Sequence, residues 1–142
     1  MTTVKYLRDQ RHVGTVAEVI KLKFPFPNEQ FPDLEAVSNV PSKGMAVGQE
    51  QGHEYYPNIV VVRRPGTWIQ MMAEVEMHET LTDEAALTRW KPYSECGDFY
   101  LYVPFGLAGE AKKLCKKHGI HLAGIRVWRF RPVWGLDVAG GG

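Results

Sequence analysis

Hydrophobic residues recur at helical spacing early in the chain and at strand-like spacing further on. Apolar positions within residues 6–23 fall on one face, which predicts a helix. Pro25 and Pro27 end this helix, because proline has no N–H for the next helical hydrogen bond. Residues 28–56 are rich in Pro, Gly, Asn and Gln, so we expect a long irregular segment with one short strand at 34–40.

A hairpin is predicted at the centre of the chain. The run from Ile59 to Val62 is β-branched throughout, which is typical of a strand buried on both faces. Pro65-Gly66 favours a turn, and residues 67–77 follow it as a second strand. Because strand side chains alternate, one face of that strand is expected in the core. Its members are Ile69, Met71, Ala73 and Val75.

Helices and strands alternate in the second half of the chain. A helix begins at Thr82 or Asp83, either of which can cap it, and Pro92 ends or kinks it. Its predicted buried face consists of Leu87, Trp90 and Tyr93.

A strand at 99–103, a helix at 107–118 that Gly119 ends, and a strand at 125–131 follow. The order predicts a single α/β domain over residues 1–132, with a central mixed β-sheet flanked by helices, and a flexible tail at 133–142.

Composition narrows the class of protein. The chain has 142 residues, 44% hydrophobic and 23% charged, which fits one globular domain with its own core. We find no apolar run long enough for a bilayer and no signal peptide, so the expected location is the cytoplasm, without membrane partners. The net charge of +1 excludes a polycation, so nucleic-acid binding needs a local basic patch. Cys96 and Cys115 are expected as free thiols.

Candidate chemistry concentrates at the hairpin. Glu74 and Glu76 project from the same face of the second strand, and two close carboxylates repel each other unless a cation or proton lies between them. Mg²⁺ prefers such oxygen ligands. Asn58 lies just before the first strand, so the hairpin brings it towards the end of the second strand. There its amide oxygen can assist the glutamates in binding a metal ion. The plainer interpretation is a turn-capping Asn58 and a solvated edge of glutamates.

These residues resemble the motif of the PD-(D/E)xK nuclease superfamily, which has the restriction-endonuclease-like fold. The chain looks closest to small uncharacterised bacterial members, and the resemblance covers about residues 52–131. Pro57 and Glu74 match the pattern, whereas Asn58 stands where Asp is expected and Glu76 where Lys is expected. The resemblance implies that the first helix completes the core.

The resemblance also implies the roles of these residues. Glu74, Glu76 and Asn58 would bind Mg²⁺ or Mn²⁺ for hydrolysis of a phosphodiester, and Glu76 would alternatively act as the base for water. Lys91 is the candidate replacement for the missing lysine. Glu18 is the candidate extra acid from the first helix, although a surface position is the plainer interpretation.

A basic helix face provides a candidate surface for DNA, with a solvated amphipathic helix as the alternative. Its residues are Lys112, Lys113, Lys116 and Lys117. Cys115, His118 and His121 have the residue types of a zinc site but straddle the end of a helix.

Three hypotheses therefore stay open. The first is a metal-dependent nuclease, the second an inactive nucleic-acid or protein binding module of the same fold, and the third a structural or homo-oligomeric protein without metal.

Overall fold

The computed structural model of the protein describes residues 4–50, 53–131 and 135–140. The strands are β1 Leu34–Ser38, β2 Gln49–Glu50, β3 His53–Glu54, β4 Ile59–Arg63, β5 Trp68–Val75, β6 Phe99–Pro104, β7 Gly124–Arg131 and β8 Gly135–Gly140. The helices are α1 Val4–Lys23, α2 Asp83–Ala85, α3 Lys91–Glu95 and α4 Ala108–His118. A 3-10 turn spans His78–Thr80, and a π-helical segment, Ala86–Trp90, joins α2 to α3.

Six strands form one mixed sheet in the order β1-β4-β5-β6-β7-β8, and β2 pairs separately with β3. β5, β6 and β7 run parallel to one another, while β1-β4, β4-β5 and β7-β8 are antiparallel. One core cluster packs between the sheet and α1, and the other packs between the sheet and the helical segments 83–95 and 108–118. The predicted α/β domain with a mixed sheet between helices is confirmed.

The predicted hairpin is present as β4 and β5, with a bulge that the sequence did not indicate. Val61 lies opposite Met71 but Val62 lies opposite Ile69, so Gln70 is an extra residue in β5. An extra residue reverses the alternation of faces on one side of the bulge. Met71 and Ala73 therefore pack on the α1 side, as expected, but Ile69 packs in the opposite cluster.

The helical stretch 83–95 begins as predicted and continues past Pro92. The Thr82 hydroxyl accepts a hydrogen bond from the Ala85 N–H. The Lys91 N–H bonds to the Ala86 carbonyl, five residues back, and this wider turn allows the helix to continue where proline cannot donate. The turn also changes the buried face, so the prediction for Leu87 is wrong: its side chain is 48% exposed. The buried residues are Ala85, Ala86, Trp90 and Tyr93.

Residues 135–140, expected in a flexible tail, instead form β8. This strand pairs with β7 from Arg131↔Gly135 to Arg126↔Gly140. Leu136 and Val138 pack against the core cluster on the α1 side. The other tail residues, 133–134 and 141–142, lie outside the described residues.

Gly119 follows α4 in the left-handed conformation, with φ of 65°, as predicted for a helix-ending glycine. Among the described residues, no helix combines the length and hydropathy that a bilayer span requires.

Candidate functional site

The pairing of β4 with β5 brings Asn58 against Glu74. Ile59 lies opposite Ala73, so the residue before β4 meets the last residues of β5. The Asn58 N–H donates to Glu74 Oε1 at 2.8 Å, and the Val75 N–H donates to Asn58 Oδ1 at 2.8 Å. Asn58 and Glu74 are 6% and 4% exposed. Asn58 thus holds the carboxylate in place, and its own side-chain oxygen accepts a main-chain hydrogen bond.

Arg89, in the π-helical segment, joins the two glutamates. Its Nη2 donates to both carboxylate oxygens of Glu76, at 2.7 and 2.8 Å. Its Nε lies 3.2 Å from Glu74 Oε2. That Nε is buried and its hydrogen is misaligned with the oxygen, so the Glu74 contact is an ion pair without a directional hydrogen bond. The guanidinium is therefore the cation that the two carboxylates require.

Two indole rings fix Glu76 from other directions. The Trp90 Nε1–H donates to Glu76 Oε1 at 3.2 Å, and the Trp128 Nε1–H donates to the Glu76 main-chain oxygen at 3.1 Å. Trp90 is fully buried and Glu76 is 2% exposed. Since buried indoles and carboxylates both need hydrogen-bond partners, these contacts explain why a charged residue is stable in this position.

The charge balance of this cluster depends on Glu74. If both glutamates were ionised, they would carry two negative charges against the single positive charge of Arg89. Burial and the charge of Glu76 raise the pKa of Glu74 to about 8, although the Asn58 N–H and Arg89 act in the opposite direction. Burial opposes the charged form of Arg89, but the charges of Glu76 and Glu74 outweigh it and raise the Arg89 pKa. The cluster can therefore take up a proton or a second cation.

α1 contributes His12 to the site, which the sequence analysis missed. The Nε2 atom lies 3.1 Å from Asn58 Oδ1 and 2.9 Å from the Val75 carbonyl oxygen. Both neighbours are acceptors, so Nε2 carries a proton. Glu18, the candidate from this helix, is roughly 240° further around α1 and does not line the cavity described next.

A cavity of about 340 Å³ opens over these groups at the carboxyl end of β5. Its wall combines residues from four places: the N-terminal half of α1, the end of β5, the turn after it, and Arg89. They are Lys5, Arg8, Asp9, His12, Glu74, Val75, Glu76, Met77, Glu79, Thr80 and Arg89. Lys91 does not line it but faces a separate cavity beside Tyr55 and Leu87. The cation beside the carboxylates is thus Arg89, and the expectation for Lys91 is wrong.

The predicted DNA-binding lysines lie on α4, away from the carboxylate cavity. Lys117 pairs with Asp83 at 2.9 Å, and Lys113 lies 3.9 Å from Glu110. Lys112 and Lys116 line a separate groove of about 610 Å³ together with Arg126. The four residues therefore do not form one surface directed at the candidate site, and their role in binding DNA stays a prediction.

The Cys115-His118-His121 cluster has a different arrangement from a zinc site. His118 Nε2 lies 2.6 Å from Asp83 Oδ1, and Cys115 is buried. His121 instead lines the groove beside Lys116.

We found no protein-family model, no curated protein and no solved structure that matches this chain.

Proposed function

We propose that this protein is a nuclease-like domain of the restriction-endonuclease-like type, in which Glu74 and Glu76 bind Mg²⁺ or Mn²⁺ for hydrolysis of a phosphodiester. The observation that carries the proposal is the convergence of Asn58, Glu74 and Glu76 beneath an open cavity, where two carboxylates share a single arginine. The mixed sheet with α1 on one face, as the resemblance implied, also supports the proposal.

The residues present fit a hard divalent cation in chemistry. The two carboxylates provide oxygen ligands, which Mg²⁺ and Mn²⁺ prefer, whereas the Asn58 amide oxygen already accepts hydrogen bonds from the Val75 N–H and His12. Within the described ranges, no group of three or more His, Cys, Asp or Glu side chains forms a ready metal site. Arg89 occupies the carboxylates instead, so binding requires its guanidinium to leave them. Its side chain is 34% exposed, and a path to solvent is therefore open.

In this proposal each residue of the site has its own role. Glu74 and Glu76 hold the cation, and the bound cation supplies water activation and charge stabilisation. Asn58 fixes the Glu74 carboxylate through its N–H, and His12 steadies the Asn58 amide. Arg89 lines the cavity, where a guanidinium released from the carboxylates could pair with a phosphate.

Metal titration and a cleavage assay test the proposal together. We expect calorimetry to detect Mn²⁺ or Mg²⁺ binding at millimolar concentrations or below, and plasmid nicking to depend on the metal. Glu74→Gln keeps the acceptor for the Asn58 N–H but removes the charge, so it should lose both properties. Glu110→Gln, on exposed α4, is the matched control. No metal binding, or equal binding by Glu74→Gln, would exclude the catalytic role.

A second candidate is a nucleic-acid or protein binding module that no longer cleaves. Two observations favour it: Arg89 already pairs with both oxygens of Glu76, and Asn58 brings no charge to the cluster. The module predicts metal binding without cleavage in the natural sequence. Nicking that appears only in Asn58→Asp would support the module over the nuclease.

A further inference from the structure

A second cavity, of about 310 Å³, opens beside the carboxylate cavity. Met77 and Glu79 line both cavities, so the two adjoin at the turn after β5. The rest of the second cavity comes from the carboxyl ends of β6 and β7 and from α1. A molecule long enough to occupy both cavities would therefore extend from the carboxyl end of β7 to the buried glutamates.

Two phenylalanine rings stand exposed at this second cavity. Phe105 is 61% exposed and Phe130 is 55% exposed, whereas most large apolar side chains of the sheet are buried. Trp128 supports Phe130 edge-on, with ring centroids 5.9 Å apart. The Arg129 guanidinium carbon lies 4.8 Å from the Phe105 centroid, and its Nε lies 3.6 Å from Asp137 Oδ2, so an ion-paired guanidinium covers one face of that ring. We name the surface formed by Phe105, Phe130 and Arg129 the aromatic ledge.

Cations on α1 border both cavities. Lys5 and Arg8 line the carboxylate cavity, and Arg11 lines the cavity of the aromatic ledge. Lys5 and Arg8, and likewise Arg8 and Arg11, are three residues apart and therefore neighbours on the helix surface. Acidic groups are also present, because Asp9 pairs with Lys5 at 2.9 Å and Glu79 lies between the cavities. Arg8 and Arg11 remain as a cationic edge that leads from the ledge to the glutamates.

We infer that the aromatic ledge binds an unpaired base of a single-stranded nucleic acid, with the neighbouring phosphates along Arg8 and Arg11. This inference rests on the proposed function, since it gives the substrate class of that site. Exposed rings beside cations provide the two contacts that single strands need, base stacking and phosphate pairing. A base inside a duplex is already stacked on its neighbours, so its faces are not accessible to Phe105 or Phe130.

Fluorescence anisotropy with a labelled oligothymidylate of about ten nucleotides tests this inference. The measurement is made in EDTA, so that no metal is required and no strand is cut. We expect Phe105→Ala combined with Phe130→Ala to weaken binding about tenfold or more, because stacking is worth about 1–3 kcal/mol per base. Arg11→Glu should also weaken it. Trp68→Ala, which removes a 78% exposed ring from the hairpin, is the matched control and should bind normally.

Three outcomes would overturn the inference. One is equal affinity of the double phenylalanine variant, the Trp68→Ala variant and the natural protein. Another is loss of binding on changing Lys112 and Lys116 to Glu while the phenylalanine variant binds normally, which would place the strand in the groove beside α4 instead. Binding of a duplex more tightly than the single strand would likewise contradict it.

Metal titration of the same variants separates this inference from the proposed function. The double phenylalanine variant should bind Mn²⁺ like the natural protein, because neither ring touches the glutamates. Weakened strand binding with normal metal binding supports the ledge. Normal strand binding by the phenylalanine variant, in a protein that binds metal through Glu74, rejects the ledge and leaves the proposed function standing.

Discussion

Arg89 places its Nη2 atom within 2.8 Å of both carboxylate oxygens of Glu76, and the carboxylate is 2% exposed. In the resemblance that suggested a nuclease, a lysine was expected at position 76 and an acid before it. The chain has the acid at 76 and takes its cation from the helix instead. The positive charge beside the carboxylates therefore comes from another element of the fold, the π-helical segment that carries Arg89.

Removal of Arg89 should destabilise the protein, and the loss of stability should depend on the charge of Glu76. Arg89→Met leaves both buried carboxylates without their partner, and we expect the free energy of unfolding to fall by about 2–3 kcal/mol. This is less than for a fully buried pair, because Arg89 is 34% exposed. Urea denaturation in EDTA measures it, with Arg63→Met on the exposed side of the hairpin as the control.

A second substitution tests whether the loss of stability comes from the ion pair between Arg89 and Glu76. Glu76→Gln should recover part of the stability lost in Arg89→Met, since it removes the unpaired charge while keeping an acceptor for the Trp90 indole. Additive losses in the double variant would contradict the ion pair described here. Mn²⁺ should also stabilise Arg89→Met more than it stabilises the natural protein, because the competing guanidinium is gone.

The stability of the protein should fall as pH rises from about 4.5 to about 8. Folded Glu74 has a pKa of about 8, above the 4.5 of an unperturbed glutamate. Between these values the folded state binds more protons than the unfolded state, so the free energy of unfolding decreases with pH, by up to about 1.4 kcal/mol per pH unit. The stabilisation that protonated Glu74 provides is complete below pH 4.5 and is lost above about pH 8.

Glu74→Gln isolates this effect. Glutamine cannot titrate, so urea denaturation of this variant across the same pH range should give a shallower decline than the natural protein. Glu110→Gln serves as the control for an exposed carboxylate. Parallel declines for Glu74→Gln and the natural protein would contradict a raised Glu74 pKa.

Asn58→Asp should make the cluster more dependent on a cation. Aspartate still accepts hydrogen bonds from the Val75 N–H and His12, but it adds a third carboxyl group near a single arginine. We expect unfolding in EDTA to become easier by about 1–3 kcal/mol, and the affinity for Mn²⁺ to rise about tenfold or more. Asn28→Asp, which adds the same charge near the end of α1, is the control. Unchanged metal affinity would argue against a metal site at these residues.

The sequence predicted the contact between Asn58 and Glu74 because hairpin geometry is local. Sixteen residues separate them, and the turn between their strands fixes which ends meet. The element order was equally accessible, since each helix and most strands carry their own hydrophobic period. These parts of the fold depend on near neighbours in the chain.

The places of Arg89 and His12 in the site could not be predicted, because no local sequence pattern contains the information that determines them. The direction of Arg89 follows from the π-helical segment, which rotates the face of the helix and turns Arg89 rather than Lys91 towards the carboxylates. His12 meets Asn58 across 46 residues, through the packing of α1 on the sheet. The bulge at Gln70 is a similar case, because a single extra residue moved Ile69 to the other face.

β8 should contribute to the stability of the fold. Residues 135–140 have a glycine-rich, weakly hydrophobic sequence, yet Leu136 and Val138 pack on the core cluster beside α1. Replacing both with Ala should lower the free energy of unfolding by about 1–2 kcal/mol, less than for fully buried sites because both are half-buried. Ala139→Ser, at an exposed position of the same strand, should have little effect. A loose tail would make the double variant as stable as the natural protein, so urea denaturation of the three proteins decides between a strand and a tail.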